Sequence, residues 1–161
     1  MKKKDFLKEL ELMALISRIK RLCDDLQYST KDFYKSLQVD IEPNWSIIFL
    51  LFKKYGTLTI TDISEYLRQS HPAVIKVINK MKTAGYINSV TDEKDSRKQI
   101  LSLSDKALKA FPEFEQYWNA CVATMKEITN DCPNFLEDLG KIEQKVQGSS
   151  YKERTLRNLQ L

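Results

Sequence analysis

Glycine and proline are scarce in this chain, with four of each among 161 residues. An all-β fold needs many tight turns, and such turns draw on both residue types. Their scarcity disfavours that fold and favours long helices. Histidine is scarcer still, with a single copy at His71. No convincing Ser/His/Asp set, paired carboxylate site or Gly-rich cofactor loop accompanies it, so the chain reads as non-enzymatic and cofactor-free. The three cysteines, Cys23, Cys121 and Cys132, are odd in number and far apart. They offer neither a disulfide framework nor metal-ligand spacing. No segment approaches the roughly 18 consecutive apolar residues of a membrane helix. The basic start "MKKKDF" runs into "LKELELMALIS", which charges interrupt, so no signal peptide is read. These absences together lead us to expect a reduced, cytoplasmic protein without a membrane or metal partner.

What is present is charge and helical periodicity. Hydrophobic residues make up 42% of the chain, enough for a sizeable core, and charged residues 30%. The net charge is +4 and the pI about 8.8, compatible with nucleic acid but shared by many ordinary proteins. The placement of charge says more. From Lys53 to Lys109 eleven bases face six acids, a balance of +5 that accounts for the whole net charge.

Residues 5 to about 37 carry apolar residues at Phe6, Leu10, Met13, Ile16, Ile19, Cys23 and Leu26. Those intervals of three and four predict a long amphipathic helix, with a break near Ser29-Thr30. After Pro43, "NWSIIFLLFKKYG" predicts a buried helix that Asn44 caps and Gly56 ends. The β-branched "TLTI", Thr57 to Ile60, reads as a short strand. Thr61 then starts a short helix that ends near Arg68. Ser70 is a natural N-cap for the next, with Pro72 tolerated in its first turn. Val74, Ile78 and Met81 form a buried stripe there, and Gly85 closes the helix. "YINSV" and "KQILSL" predict two strands around the polar "TDEKDSR". Ser104 caps a long helix containing Pro112, which should kink it. A last helix restarts with Pro133 in its first turn and a stripe of Phe135, Leu139, Ile142 and Val146. Gly148-Ser149-Ser150 breaks the pattern before a tail that is a short helix or disordered.

Two short helices joined by a tight turn and followed by a hairpin predict a winged helix-turn-helix. A helix about 10–12 Å across fits the major groove of B-DNA. Such a helix needs an exposed polar and basic face, and its N-terminus favours phosphate. The helix from His71 to Ala84 has that face in His71, Lys76, Asn79 and Lys80. Lys94, Arg97 and Lys98 give the hairpin tip bases that can reach along the backbone.

The stretch "LTITDISEYLRQSHPAVIKVINKMKTAGYINSVTDEKDSRKQILSLSDKA" resembles the MarR family of bacterial regulators. The wing signature is Asp95-Ser96-Arg97 followed by "QILSLS", with Ser104 at the place of a usual Thr. The resemblance covers residues 44 to 107 closely, and the flanking helices in order and length. It implies a mainly α fold with a small β-hairpin wing, in which N- and C-terminal helices dimerise. Four segments follow: a dimerisation helix at 1–40, the winged helix-turn-helix at 44–103, dimerisation helices at 104–147 and a tail at 148–161. A monomer would leave Phe114, Trp118, Phe135 and Leu139 short of partners. Departures from the family pattern are Ser89 where an Arg is common, and Arg68 and Ala107 where glycines are usual. The acids Asp92, Glu93 and Asp95 at the wing tip put the strength of backbone contact in doubt.

The DNA-binding candidates are Ser70, His71, Ala73, Lys76, Asn79, Lys80, Lys94, Arg97 and Lys98. For each, the bland alternative is a solvated face. Arg97 could enter the minor groove or pair with an acid at the wing base. Trp45, Phe49, Tyr66 and Trp118 could line a pocket for a small-molecule effector, or simply pack the core. Some MarR relatives sense peroxide through a first-helix cysteine. Cys23 sits in "RLCDDLQY", which lacks the Phe and shifts the Tyr of that pattern, so a small buried apolar residue is the competing reading. The function expected is a sequence-specific DNA-binding transcriptional regulator, a homodimeric repressor on a palindromic operator, released by an effector. The rival is a protein-interaction module or the regulatory partner of an acetyltransferase-type enzyme. Domains with similar "SRIKRL" and "SHPAV" stretches occur joined to such enzymes, and this chain is too short to contain one.

Overall fold

The computed structural model describes residues 3–93, 95 and 98–160. Lys94, Ser96 and Arg97 of the wing lie outside the described residues. The chain forms two compact units, Met1–Gln116 and Tyr117–Leu161.

The first unit begins with α1 (Phe6–Glu9), a single 3-10 turn (Glu11–Ala14) and α2 (Leu15–Ser36). The predicted single helix is therefore interrupted, but near Leu10–Ala14 instead of Ser29-Thr30. Asp5 explains the early start. Its carboxylate caps α1 through the Leu7 N–H at 3.2 Å and accepts two bonds from the Arg21 guanidinium, at 3.1 and 2.8 Å. Those bonds hold the Asp5 carboxyl below its ordinary range. Glu11 then takes a positive φ of 47°, which breaks the helical path. At the expected break the helix continues, because the Thr30 hydroxyl is absorbed by the Leu26 carbonyl one turn back.

Helix α3 (Trp45–Tyr55) buries Trp45, Ile48, Phe49 and Phe52. Asn44 occupies the cap position but its side chain makes no cap bond. Gly56 ends the helix at φ 77°, a conformation that favours glycine. Phe49, fully buried, is the centre of the core. The rings of Tyr86, Phe114 and Phe111 surround it at centroid distances of 5.5, 5.6 and 6.3 Å. The Tyr86 and Phe111 rings stand edge-on, the arrangement that aromatic quadrupoles favour.

The expected strand at 57–60 is shorter than predicted. Only Leu58 pairs, exchanging two backbone bonds with Leu101 at 3.0 and 2.8 Å. Ile60 already belongs to α4 (Ile60–Leu67), and Thr59, not Thr61, is its cap. The reason is at the third helical position. From Thr59 that position is Asp62, whose carboxylate returns a bond to the Thr59 N–H at 2.7 Å and completes a capping box. From Thr61 it would be Ser64. Helix α4 ends on Arg68 in the left-handed region, φ 51° and ψ 41°. Next come α5 (His71–Thr83), β1 (Ile87–Thr91), β2 (Gln99–Leu103) and α6 (Asp105–Ile128). The strands pair antiparallel from Ile87↔Leu103 to Thr91↔Gln99. Helix α6 runs through Pro112 and on into the second unit.

Beyond α6, the second unit holds α7 (Phe135–Gly148) and α8 (Tyr151–Asn158). Pro133 stands before α7, not in its first turn, since Asn134 is the cap. The tail is helical. Ser150 and Glu153 form a capping box that holds the Glu153 carboxyl below its ordinary range. Arg154 donates to the Ser149 and Lys145 carbonyls at 3.0 and 2.6 Å, so α8 closes the end of α7. Helix α7 buries no residue, and its stripe of Phe135, Leu139, Ile142 and Val146 is exposed. Phe114 and Trp118 differ from expectation, being buried within the single chain. Phe114 finds its partners in Phe49 and Tyr86.

Two substitutions test this account by urea unfolding. Phe49→Ala removes the ring at the centre of the core and is expected to cost about 3–5 kcal/mol. Arg68→Gly relieves the left-handed strain and is expected to add up to about 1 kcal/mol. A loss of stability in Arg68→Gly would show that the Arg side chain outweighs that strain.

Candidate nucleic-acid interface

The helix pair α4–α5 and the hairpin build one candidate surface. Residues Gln69 and Ser70 make the turn, and Ser70 takes the extended backbone of an N-cap, φ −68° and ψ 145°. Its hydroxyl makes no cap bond. Pro72 lies in the first turn of α5, as expected there. Val74, Ile78 and Met81 are at most 1% exposed. A helix so fully buried along one stripe must turn its other face outward.

That outward face carries the predicted set. Ser70, His71, Ala73, Lys76, Asn79 and Lys80 are all exposed. Among the described residues, no acid is ion-paired with Lys76 or Lys80. The Asn79 side chain is exposed, while its backbone carbonyl accepts from the Thr83 hydroxyl at 3.0 Å. Ile75 shares the exposed part of the helix at 43% accessibility and was not predicted. Its position off the Val74–Ile78–Met81 stripe was the available signal. An apolar side chain on such a face suits a thymine methyl.

The hairpin is anchored at one end and polar at the other. Leu101 is fully buried and bridged to Leu58. Toward the tip, the Ser89 hydroxyl donates to Gln99 Oε1 at 2.7 Å, and Gln99 Nε2 donates to the Thr91 hydroxyl at 3.0 Å. Ser89 thus takes a cross-strand partner in the place where relatives of the resembling family carry an Arg. The Asp92 carboxylate accepts the Asp95 N–H at 3.1 Å. The Asp92 N–H donates to the Lys98 carbonyl at 2.9 Å, and the Lys98 N–H to the Asp95 carbonyl at 2.8 Å. At least one of the wing acids therefore shapes the loop instead of only adding charge. Lys98 is exposed; the candidates Lys94 and Arg97 lie outside the described residues.

The candidate effector residues separate into different settings. Trp45 and Phe49 both pack edge-on against Tyr86 in the core. Tyr66 stacks on Tyr55 at 4.4 Å and is half-exposed. Trp118 is buried and belongs to the second unit. A cleft of about 450 Å³ in the first unit takes one of the four, Trp45, and is lined also by Gln27, Glu42, Lys76 and Lys80 among others. The sequence reading named Trp45 as a pocket residue but not its neighbours here, because the cleft assembles residues from three distant segments.

Cys23 is exposed, with the Gln27 amide 3.4 Å from its sulfur, so the reading of it as a buried apolar residue fails for the single chain. It stands on the exposed apolar stripe of α2 with Ile16 and Ile19. Cys132 is exposed too, and burial pushes the thiol of Cys121 up. Among the described residues there is no metal-ligating cluster, and no helix is long and apolar enough to cross a membrane.

Comparison with known proteins places this geometry. No curated protein sequence matches the chain. The family model described as MarR family matches residues 39–98. Among solved structures, the chain is similar to MepR of S. aureus in a DNA complex, with 16% identity and a TM-score of 0.70 over 81% of this chain and 96% of that one. A MarR protein from Peptoclostridium difficile matches with 17% identity and a TM-score of 0.67, over 86% and 90% of the two chains. A variant of E. coli MarR complexed with operator DNA matches with 14% identity and a TM-score of 0.66, over 89% and 99%. Identities this low speak for the fold, and the family match speaks for residues 39–98. Over residues 39–98 the chain is similar to the MarR family, and its fold is that of these winged-helix structures.

Proposed function

We propose that the chain is a non-enzymatic transcriptional regulator that binds double-stranded DNA as a homodimer, with α5 in the major groove. The observation that carries this reading is the division of α5. One stripe is sealed into the core, and the opposite face presents His71, Lys76, Asn79 and Lys80 to solvent. Cations supply phosphate affinity, and Asn79 can pair with an adenine edge. Four of the similar structures are described as bound to DNA, one of MepR, two of AbfR and one of E. coli MarR, which supports the same role here.

The homodimer rests on unpartnered apolar surface. Besides the stripe on α7, the chain exposes Phe6, Leu12, Met13, Ile16 and Ile19 near its start. Faces of this kind call for a second copy. Two α5 helices related by a two-fold axis then read a palindromic operator, and the spacing between them sets affinity. Repression by occupancy of the operator is the simplest outcome. A small-molecule effector that favours one spacing shifts the population away from the bound form. The cleft beside Lys76 and Lys80 is a second place for such an effector, since an anion held there competes with phosphate for the same cations.

Fluorescence anisotropy against duplexes selected by the chain from random DNA tests the reading. Affinity is expected to fall steeply with salt. Lys76→Ala and Lys80→Ala should each weaken binding about tenfold and reduce the salt slope by roughly one. Unchanged affinity in both variants would remove α5 from the interface and favour the protein-interaction reading. Sedimentation equilibrium addresses the dimer: Ile142→Glu places a charge on the α7 stripe and is expected to yield monomer. A dimer of undiminished strength would exclude that stripe from the contact.

A further inference from the structure

Three consecutive carbonyls follow the end of α5, and the start of α6 captures all three. Lys106 Nζ donates to the Ala84 carbonyl at 2.7 Å. The Ser104 hydroxyl donates to the Gly85 carbonyl at 2.7 Å. The Ser104 N–H donates to the Tyr86 carbonyl at 2.9 Å. Ser104 also accepts the Ala107 N–H at 3.1 Å, so one hydroxyl caps α6 and ties it to α5.

Lys106 is the unusual member. It stands in the first turn of α6, where the helix macrodipole disfavours a cation. The same ammonium lies at the end of α5, where a cation is favoured. It also sits 4.2 Å from the centroid of the Tyr86 ring, over its face. Its stem packs by Gly85, where a Cβ added to the glycine would meet Lys106 Cδ at 3.7 Å. Gly85 takes a φ of 79°, so the chain turns sharply at the point where the lysine crosses it. Position, charge and packing all favour the end of α5 over the start of α6.

We propose that Lys106 is a positioning residue that fixes the C-terminal end of α5 to α6 and so sets the pose of the recognition helix on its operator. The proposal rests on the DNA-binding reading of α5. A lysine that merely touched phosphate would contribute equally to every DNA sequence, whereas a positioning lysine acts on the base contacts alone.

The test uses the full chain as Lys106→Met and Lys106→Arg. Anisotropy is measured on a duplex selected by the wild-type chain and on a scrambled duplex of the same composition, over a range of salt. Amide hydrogen exchange is followed for residues 80–86 without DNA. Lys106→Met is expected to speed exchange at the end of α5 and weaken binding to the selected duplex about tenfold, the scale of one mismatched base pair. Scrambled-duplex binding and the salt slope should stay unchanged, and Lys106→Arg should restore most of the loss. Equal weakening on both duplexes with a shallower slope would make Lys106 a phosphate contact and overturn the proposal. Unchanged exchange in Lys106→Met would also overturn it, whatever the DNA result. A wild-type chain that selects no duplex would sink the regulator reading and with it any role for Lys106 in DNA binding.

Discussion

Everything on the proposed interface depends on one constraint, the sealing of a single stripe of α5. Val74, Ile78 and Met81 are removed from water almost completely. Burying each such side chain stabilises the fold by about 1.5–3 kcal/mol relative to leaving it exposed. That energy fixes the rotation of the helix about its own axis. With the rotation fixed, Lys76, Asn79 and Lys80 have one direction to point. A looser stripe would leave the same residues in the sequence but not on a surface. The aromatic cluster about Phe49 supports this arrangement at one remove, because Tyr86 is both a member of the cluster and the residue that follows the end of α5.

The wing is held by a different device. Its strands are short, and a two-stranded hairpin alone is marginal in water. Leu101 supplies what the hairpin lacks. Its side chain is fully buried, and its backbone exchanges two bonds with Leu58. Beyond that anchor, the hairpin relies on side-chain bonds among Ser89, Gln99 and Thr91 and on the Asp92–Asp95 turn. The acids that seemed at odds with DNA binding thus have local work in Asp92, where a carboxylate accepts a backbone N–H.

Much of the fold was legible because apolar spacing is a long-range average. The stripes of α3, α5 and α7 each repeat over several turns, so one misplaced residue does not hide them. The hairpin was readable from the two alternating stretches around "TDEKDSR". What escaped was decided by single side chains. The cap of α4 moved from Thr61 to Thr59 because Asp62, not Ser64, could return the bond. The break in the first helix moved forward to Glu11, whose positive φ interrupts the helical path. Of the candidate site, the exposed set on α5 was readable from the periodicity of its opposite face. Ile75 lies off the Val74–Ile78–Met81 stripe and shares the exposed face, although an apolar residue carries no polar signal of its own. Lys106 was not readable at all as a partner of Ala84, since its sequence position speaks for α6 and only the fold brings it to α5.

The two ends of the chain show the same principle applied to an incomplete surface. Helix α7 has amphipathic spacing as regular as that of α5, yet buries nothing. Periodicity reports that a face is meant to be covered, without reporting by what. For α5 the cover is the chain itself. For α7 and for Phe6, Leu12 and Met13 no such cover exists among the described residues of the chain. The corner at α8 weighs against reading this as loose structure. Arg154 closes the last turn of α7 by bonding two of its terminal carbonyls, and Ser150 with Glu153 fixes the start of α8. Bonds of this kind satisfy the terminal carbonyls of α7 and the first N–H groups of α8 within the chain itself. An exposed stripe on a well-formed helix loses little conformational entropy on association, so the apolar area buried there converts more fully into affinity. In the homodimer proposed above, a second copy on the α7 face would meet this stripe on a helix that the chain already forms.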